Sequence, residues 1–324
     1  MATSSKLPMS QMAEVLESAR EADRERLEHV EVAILVDGEA PRPLVISVRD
    51  ALLPVHSNSA VRVQLLGEAT LPLSPRPDLC VVVSGGSDVL VKEAAASAAR
   101  QGVPVAIVAE SVLDTPRPDL PEHLEDLVTT VFSVNEAVRL AQLSRWMITS
   151  TTKSTAVASN FPFCRRARVS DLMRDYANKN AVVGAIGSRQ GSDLVAMTSN
   201  QARLALDIAA SYGRSLSAQR IQELVGVVTA GVGYRAVARS ATSMLPGLSW
   251  ALNAGVGYLG TVATANAIAS HYEREDAGEK PLPRLRAFAD SIGTLMTSRP
   301  SLYAVRALGE GIAAATGELA NSEA

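Results

Sequence analysis

Two turns in the first half of the chain have the make-up of anion-binding loops. In each, glycine sits between an apolar run and a helical stretch, where backbone N–H groups at a helix N-terminus can cradle a phosphate. The first, Asp37-Gly38, closes the run Val32-Ala33-Ile34-Leu35-Val36. A phosphate loop there needs the spacing G-x-x-x-x-G-K-[ST]: amides wrap the phosphates, lysine neutralises their charge, and the hydroxyl holds Mg2+. Laid on Gly38, that template puts Pro43 at the second glycine, Leu44 at the lysine and Val45 at the hydroxyl. Proline has no N–H to donate, leucine has no charge, and valine has no oxygen to ligate a metal. No Gly-Lys pair followed by Ser or Thr occurs elsewhere. The second turn is Ser84-Gly85-Gly86-Ser87-Asp88. Its glycines suit a tight turn, Ser87 or Asp88 suits a helix N-cap, and the Asp88 carboxylate would repel a phosphate, so capping is the favoured reading.

Other chemistry lacks its residues. His29, His56, His123 and His271 are scattered and share no helical face with an acid or a cysteine. H-E-x-x-H, G-x-S-x-G and C-x-x-C are all missing, which removes the usual metalloprotease, hydrolase and dithiol signatures. Cys80 and Cys164 are too few for a disulfide framework and have no metal-ligand spacing, which suits a reducing compartment. The expectation is no catalytic residue, no metal and no cofactor. A basic cluster, Arg165, Arg166 and Arg168 with Arg174 and Lys179, is the candidate interaction surface. It could meet anionic lipid, nucleic acid or the chain's own acidic half. Nucleic acid ranks last, because aromatic residues are sparse around it and the pI is near 5.9.

The elements that must position these residues divide the chain in two. At 324 residues, 47% apolar and 20% charged, there is material for about two domains of roughly 150 residues each. Residues 14–28 read as a charged helix. Apolar runs at 32–36, 79–83, 103–108 and 128–132 read as buried strands, and 61–66 as a more exposed one. Helical stretches fall at 44–53, 94–100 and from Asn135 through Trp146. Apolar strands separated by helices predict a parallel sheet covered on both faces, an α/β doubly wound, Rossmann-like domain. After about Arg145 no β-rich run recurs. Helices are expected at 171–185, 193–212, 218–241 and 250–272, with Gly213 as a stop, Pro246-Gly247 as a turn, and peripheral helices at 284–296 and 302–319. The second half is therefore all-α.

Charge follows the same division. Residues 1–144 hold 12 Lys and Arg against 21 Asp and Glu, a net of −9; residues 145–272 hold 13 against 5, a net of +8. Ser240 to Tyr272 carries no formal charge with His271 neutral. Gly247 to Ser270 is long enough to span a bilayer core of about 30 Å, but its hydropathy comes from Ala and Gly and it contains Asn253 and Asn266. Burial between helices, peripheral attachment and spanning rank in that order. The N-terminal residues lack a charged region followed by an apolar core, so no secretory signal is expected.

The helical half resembles a known family. Residues 160–166, Asn-Phe-Pro-Phe-Cys-Arg-Arg, and 180–184, Asn-Ala-Val-Val-Gly, are similar to stretches of YcjF-type proteins. Thr198-Ser199-Asn200-Gln201, Ile208 to Gly213, Arg220 to Leu224, Leu245-Pro246-Gly247 and Gly257 to Thr261 continue the ordered series. The order of strands in the first half resembles the Era-like GTPase fold. The resemblance implies a P-loop GTPase-like domain over 30–145 after an N-terminal helix (1–29), then a GTPase-associated helical domain (146–272) and C-terminal helices (273–324). It also implies that the guanine-reading loop would fall at Ser111-Val112-Leu113-Asp114 and a second base-pocket loop at Ser133. Of those motifs only Asp114 and Ser133 remain, and no D-x-x-G lies between Glu68 and Asp78. The expectation is a bacterial, cytoplasmic pseudo-GTPase: a non-catalytic scaffold whose partner is a protein, a GTPase or itself. A peripheral protein of the membrane's cytoplasmic face is the alternative, and nucleotide binding without hydrolysis a weaker one.

Overall fold

A computed structural model of the chain describes residues 9–67, 73–186, 192–216 and 249–278. The helices expected at 218–241, 284–296 and 302–319, and the Pro246-Gly247 turn, lie outside the described residues. Five strands, β1 (Val30–Val36), β2 (Ser59–Leu65), β3 (Leu79–Val83), β4 (Val105–Ala109) and β5 (Val128–Phe132), form one all-parallel sheet in the order β2-β1-β3-β4-β5. The helices met along this part of the chain are α1 (Met9–Arg26), α2 (Arg42–Ala51), α3 (Asp88–Arg100), the single turn α4 (Glu122–Glu125), α5 (Glu136–Thr149) and α6 (Ser154–Asn160).

Alternation along the strands builds two cores, since successive side chains point to opposite faces. Val32 and Ile34 of β1, Val81 and Val83 of β3, and Ala106 and Val108 of β4 meet Leu44 and Val48 of α2, Leu143 and Met147 of α5, and the α6 segment through Phe161. On the other face, Ala33, Leu35, Cys80, Val82 and Ile107 pack against Val91, Ala94, Ala95 and Ala98 of α3. The sheet is therefore doubly wound, as its apolar strands required. β5 departs from the expected buried strand. It is an edge strand in which only Val131 is buried and Phe132 is exposed, because among the described residues no strand pairs with its outer side. At the N-terminal ends of the strands, the Lys153 ammonium donates to Asp78 (2.7 Å) and to the His29 carbonyl (2.8 Å), while Asp78 also accepts from the Glu31 amide.

Packing divides the chain at a different place from charge. One compact unit comprises Arg20–Ser170 with Ala209–Ser215; the other comprises the described parts of Met1–Ala19, Asp171–Ile208 and Leu216–Ala324. Trp146, Met147, Ile148, Ala156, Val157, Phe161 and Cys164 all lie past the charge change at Arg145, yet they pack into the sheet's core. The short α6 and the 3-10 turn Pro162–Cys164 went unread in the sequence because neither is long enough to show a helical period.

The helical unit is made by Met9–Ala19 of α1, by α7 (Arg165–Ile186) from Asp171 on, by α8 (Ser192–Ser211) as far as Ile208, and by α9 (Ser249–Asp276). Gly213, with φ +73°, ends α8 as expected. Three of the landmark stretches meet in one buried polar node. The Asn180 amide donates to Thr261 Oγ1 (2.8 Å) and accepts from Asn200 (2.9 Å), and Thr261 donates to the Gly257 carbonyl (2.7 Å). Buried positions on α9 recur at three- and four-residue spacing, Gly257, Thr261, Ala265, Ile268 and Tyr272, while Ala263, Asn266 and Ser270 are exposed. A one-sided stripe of this kind accounts for the small-residue composition by close helix packing. Among the described residues no helix is long and apolar enough to cross a membrane.

A Cβ on Gly257 would lie 2.6 Å from the Asn180 carbonyl oxygen, whereas one on Gly255, also in α9, meets nothing within 4 Å. Gly257→Ala should therefore cost more than about 2 kcal/mol, while Gly255→Ala should be neutral or stabilise by up to about 1 kcal/mol. Chemical denaturation of the full chain measures both.

Candidate functional site

In an open parallel sheet the ligand crevice lies beyond the C-terminal ends of the strands, where the strand order reverses. Here that point is between β1 and β3. The turn after β1, residues 37–41, and the turn after β3, residues 84–87, border it.

Asp37 fills this crevice from within. It is 2% exposed. Its Oδ2 accepts the amides of Gly85 (2.8 Å) and Ser87 (3.1 Å), and its Oδ1 accepts the amide of Glu39 (3.2 Å). Ser87 is the N-cap residue of α3, but its own side chain does not cap; its amide donates to the Asp37 carboxylate, 50 residues away. A carboxylate at a helix N-terminus is held by the amides left open there and by the helix dipole. Burial pushes the Asp37 carboxyl up, but the Ser87 side chain and the amides of Gly85, Ser87 and Glu39 outweigh it, and the group is held below the ordinary value of 3.8. An anion cradle is present, and the chain's own carboxylate occupies it.

Gly85 makes the close approach possible. A Cβ there would fall 2.1 Å from the Glu39 carbonyl carbon and 2.3 Å from the Ala40 amide nitrogen. Gly38, the glycine on which the phosphate template was laid, is different: a Cβ on it would meet nothing within 4 Å. The template's later residues are already helical. Pro43 sits in the first turn of α2, where a missing N–H costs little. Leu44 is fully buried and Val45 half-buried against the sheet's core. The amides that would have to wrap a phosphate are committed within the chain, Ala40 to the Asp37 carbonyl (3.0 Å) and Val45 to the Pro41 carbonyl (3.1 Å).

The other two sequence candidates lie on the same edge in structural roles. Asp114 ends a 3-10 turn capped by Ser111, whose hydroxyl accepts from the Leu113 amide (3.2 Å), and its Oδ1 would lie 3.7 Å from a Cβ on Gly86. Ser133 Oγ accepts from the Asn135 amide (3.1 Å), and its carbonyl accepts from buried Arg139. Neither joins the Asp37 cradle.

The members of the basic cluster all lie on α7, in different surroundings. The Arg165 guanidinium lies over the Tyr212 ring, 5.4 Å from its centre, and Arg168 donates to Thr155 (3.2 Å). Lys179 is exposed, pairs with Asp175 (2.6 Å) and lies over the Tyr176 ring; Arg166 and Arg174 are exposed. Both cysteines are buried, and desolvation pushes the Cys80 thiol up to about 12 and Cys164 higher than usual, so neither is a ready nucleophile. Among the described residues, no group of three or more His, Cys, Asp or Glu could hold a metal ion.

Asp37 itself was passed over in the sequence, where it reads only as the residue that closes a strand. The one local signal is an acid directly after a fully apolar run, paired with a Gly-Gly turn after a second such run.

Because the folded Asp37 carboxyl releases its proton at lower pH than the unfolded one, the unfolded state binds more protons in the acid range. Its stabilisation is complete above 3.8 and is lost as pH falls through the lower folded value. Asp37→Asn should be less stable than the natural chain by about 1–2 kcal/mol at neutral pH, the difference between a charged and a neutral acceptor. The gap should close in acid, as followed by denaturation at a series of pH values. Gly85→Ala should destabilise by more than about 2 kcal/mol at every pH, since its clash is steric.

Compared with family models, with curated proteins and with solved structures, the chain matches none.

Proposed function

We propose that this protein is a non-catalytic interaction module, a GTPase-like scaffold that has exchanged nucleotide chemistry for an internally closed ligand edge. The observation that carries this reading is the Asp37 carboxylate seated on the amides of Gly85, Ser87 and Glu39. A phosphate bound between β1 and β3 would need those same donors, and it would meet a like charge in their place. The rest of the turn supports the same reading, since Pro43, Leu44 and Val45 serve α2 and its core rather than an anion. The sheet's apolar faces are kept while the loop chemistry is missing, as expected of a domain that acts by contact. The similarity of the helical half to YcjF-type proteins suggests a GTPase as the class of partner, and the free cysteines Cys80 and Cys164 suit the reducing cytoplasm as the place of action.

Calorimetric titration of the pure full chain with GTP, GDP and ATP in Mg2+ should give no binding heat, and phosphate release should not exceed the buffer rate. Magnesium-dependent turnover, or nucleotide binding altered by substitutions between Gly38 and Val45, would overturn the reading. Asp37→Gly supplies the positive counterpart. With the carboxylate gone, millimolar sulfate should raise the variant's melting temperature and leave that of the natural chain unchanged, because an anion that binds only the folded state stabilises it.

A further inference from the structure

The edge that Asp37 closes to anions carries exposed aliphatic side chains at three loops and the helical turns that follow them. Val89 is 76% exposed, Leu113 87% and Val134 84%. Val112 and Val138 are exposed beside them. These loops follow β3, β4 and β5, which are consecutive in the sheet. The backbone ties them together: the Ser84 amide donates to the Val108 carbonyl (2.9 Å) and the Ser133 amide to the Ala109 carbonyl (3.4 Å). Each tip is held from below. Ser111 and Thr115 close the turn that lifts Leu113, and Asn135 caps α5 immediately after Val134. A single exposed aliphatic residue is ordinary, but five on neighbouring strand-to-helix connections and first helical turns at a sheet's ligand edge mark an interaction surface.

Charge selects the kind of partner. Glu39, Asp88, Glu110, Asp114 and Glu136 lie on this edge, against Arg42 in the first turn of α2, buried Arg139, which donates to the Ser133 carbonyl, and Lys92, which is taken up by Asp88 (2.7 Å). Among the described residues no ion pair engages Glu39, Glu110, Asp114 or Glu136. Such a surface repels phosphate and anionic headgroups and attracts cations, and aliphatic tips on the same edge as carboxylates complement aliphatic residues flanked by Lys or Arg. We infer that the C-terminal edge of the sheet docks a basic, aliphatic segment of a partner protein, with Leu113 and Val134 as the apolar anchors and Asp114 and Glu110 as the charge guides. The inference rests on the reading that this edge holds no nucleotide.

The test is selection of short random peptides displayed on phage against the full chain, followed by fluorescence anisotropy of the enriched peptides. Enrichment of Lys or Arg beside Leu, Ile or Val is expected. Affinity should fall at least about tenfold for the Leu113→Ser, Val134→Ser double variant, and should fall with added salt and in Asp114→Lys. All three side chains are solvent-facing or half-buried, so the variants should keep the natural melting temperature, which is measured first. The inference is overturned by no enrichment, by acidic peptides, or by binding that ignores these substitutions. It is also overturned if vesicles of anionic lipid bind the chain through Leu113 and Val134, or if light scattering shows a dimer that the double variant breaks; the edge then belongs to a membrane or to a second copy. Failure here leaves the Asp37 cradle intact, whereas a nucleotide seated between β1 and β3 would undo the earlier reading instead.

Discussion

A buried carboxylate can stay charged only if donors replace the water it has lost. Asp37 meets that condition with three backbone amides and the N-terminus of α3, and much of the surrounding geometry follows from it. The turns after β1 and β3 must touch, so position 85 has no room for a side chain. Ser87 is an N-cap residue whose side chain does not cap, and its amide is held by the Asp37 carboxylate. The crevice that the strand order creates is thereby consumed by an internal contact. What the edge can still offer is its outer surface, and that surface is aliphatic and acidic.

The two halves of the chain solve burial in different ways. The sheet buries alternating aliphatic side chains on two faces, with the alanine-rich α3 on one and the α2, α5 and α6 segments on the other. The helical unit instead brings backbones close. Gly257 of α9 allows the approach to Asn180 of α7, and the Asn180, Asn200 and Thr261 side chains satisfy one another where that approach would strand polar groups. A hydrogen-bonded network of this sort between helices favours one arrangement, since a shifted one would leave amides without partners. The landmark residues on which the YcjF-type resemblance was drawn include these three side chains and this glycine.

Net charge was a poor guide to where one body ends. The change of sign near Arg145 is real in the sequence, yet α5 and α6 belong with the sheet because Trp146, Met147, Val157 and Phe161 complete its core. Charge describes the outside of a helix and packing its inside, and the two need not change at the same residue. The basic cluster of α7 shows the same thing at smaller scale. Arg165 and Arg168 turn toward Tyr212 and Thr155, while Arg166 and Arg174 remain outward.

The sequence by itself determined the strands and their class. Long apolar runs such as Leu79–Val83 and Val105–Ala109 leave a parallel, twice-covered sheet as the economical arrangement, and a template missing its second glycine, lysine and hydroxyl already removes the phosphate loop. Gly213 as the stop of α8 was equally legible, because a helix end needs a residue that tolerates positive φ. Tertiary structure alone decided that β5 lies at an edge, that α6 exists, and that Asp37 is the ligand of its own sheet. The physical reason is range. Periodicity and capping act within a few residues and leave a mark in composition, whereas an acceptor and donors 48 and 50 positions apart are brought together only when β1 and β3 pair.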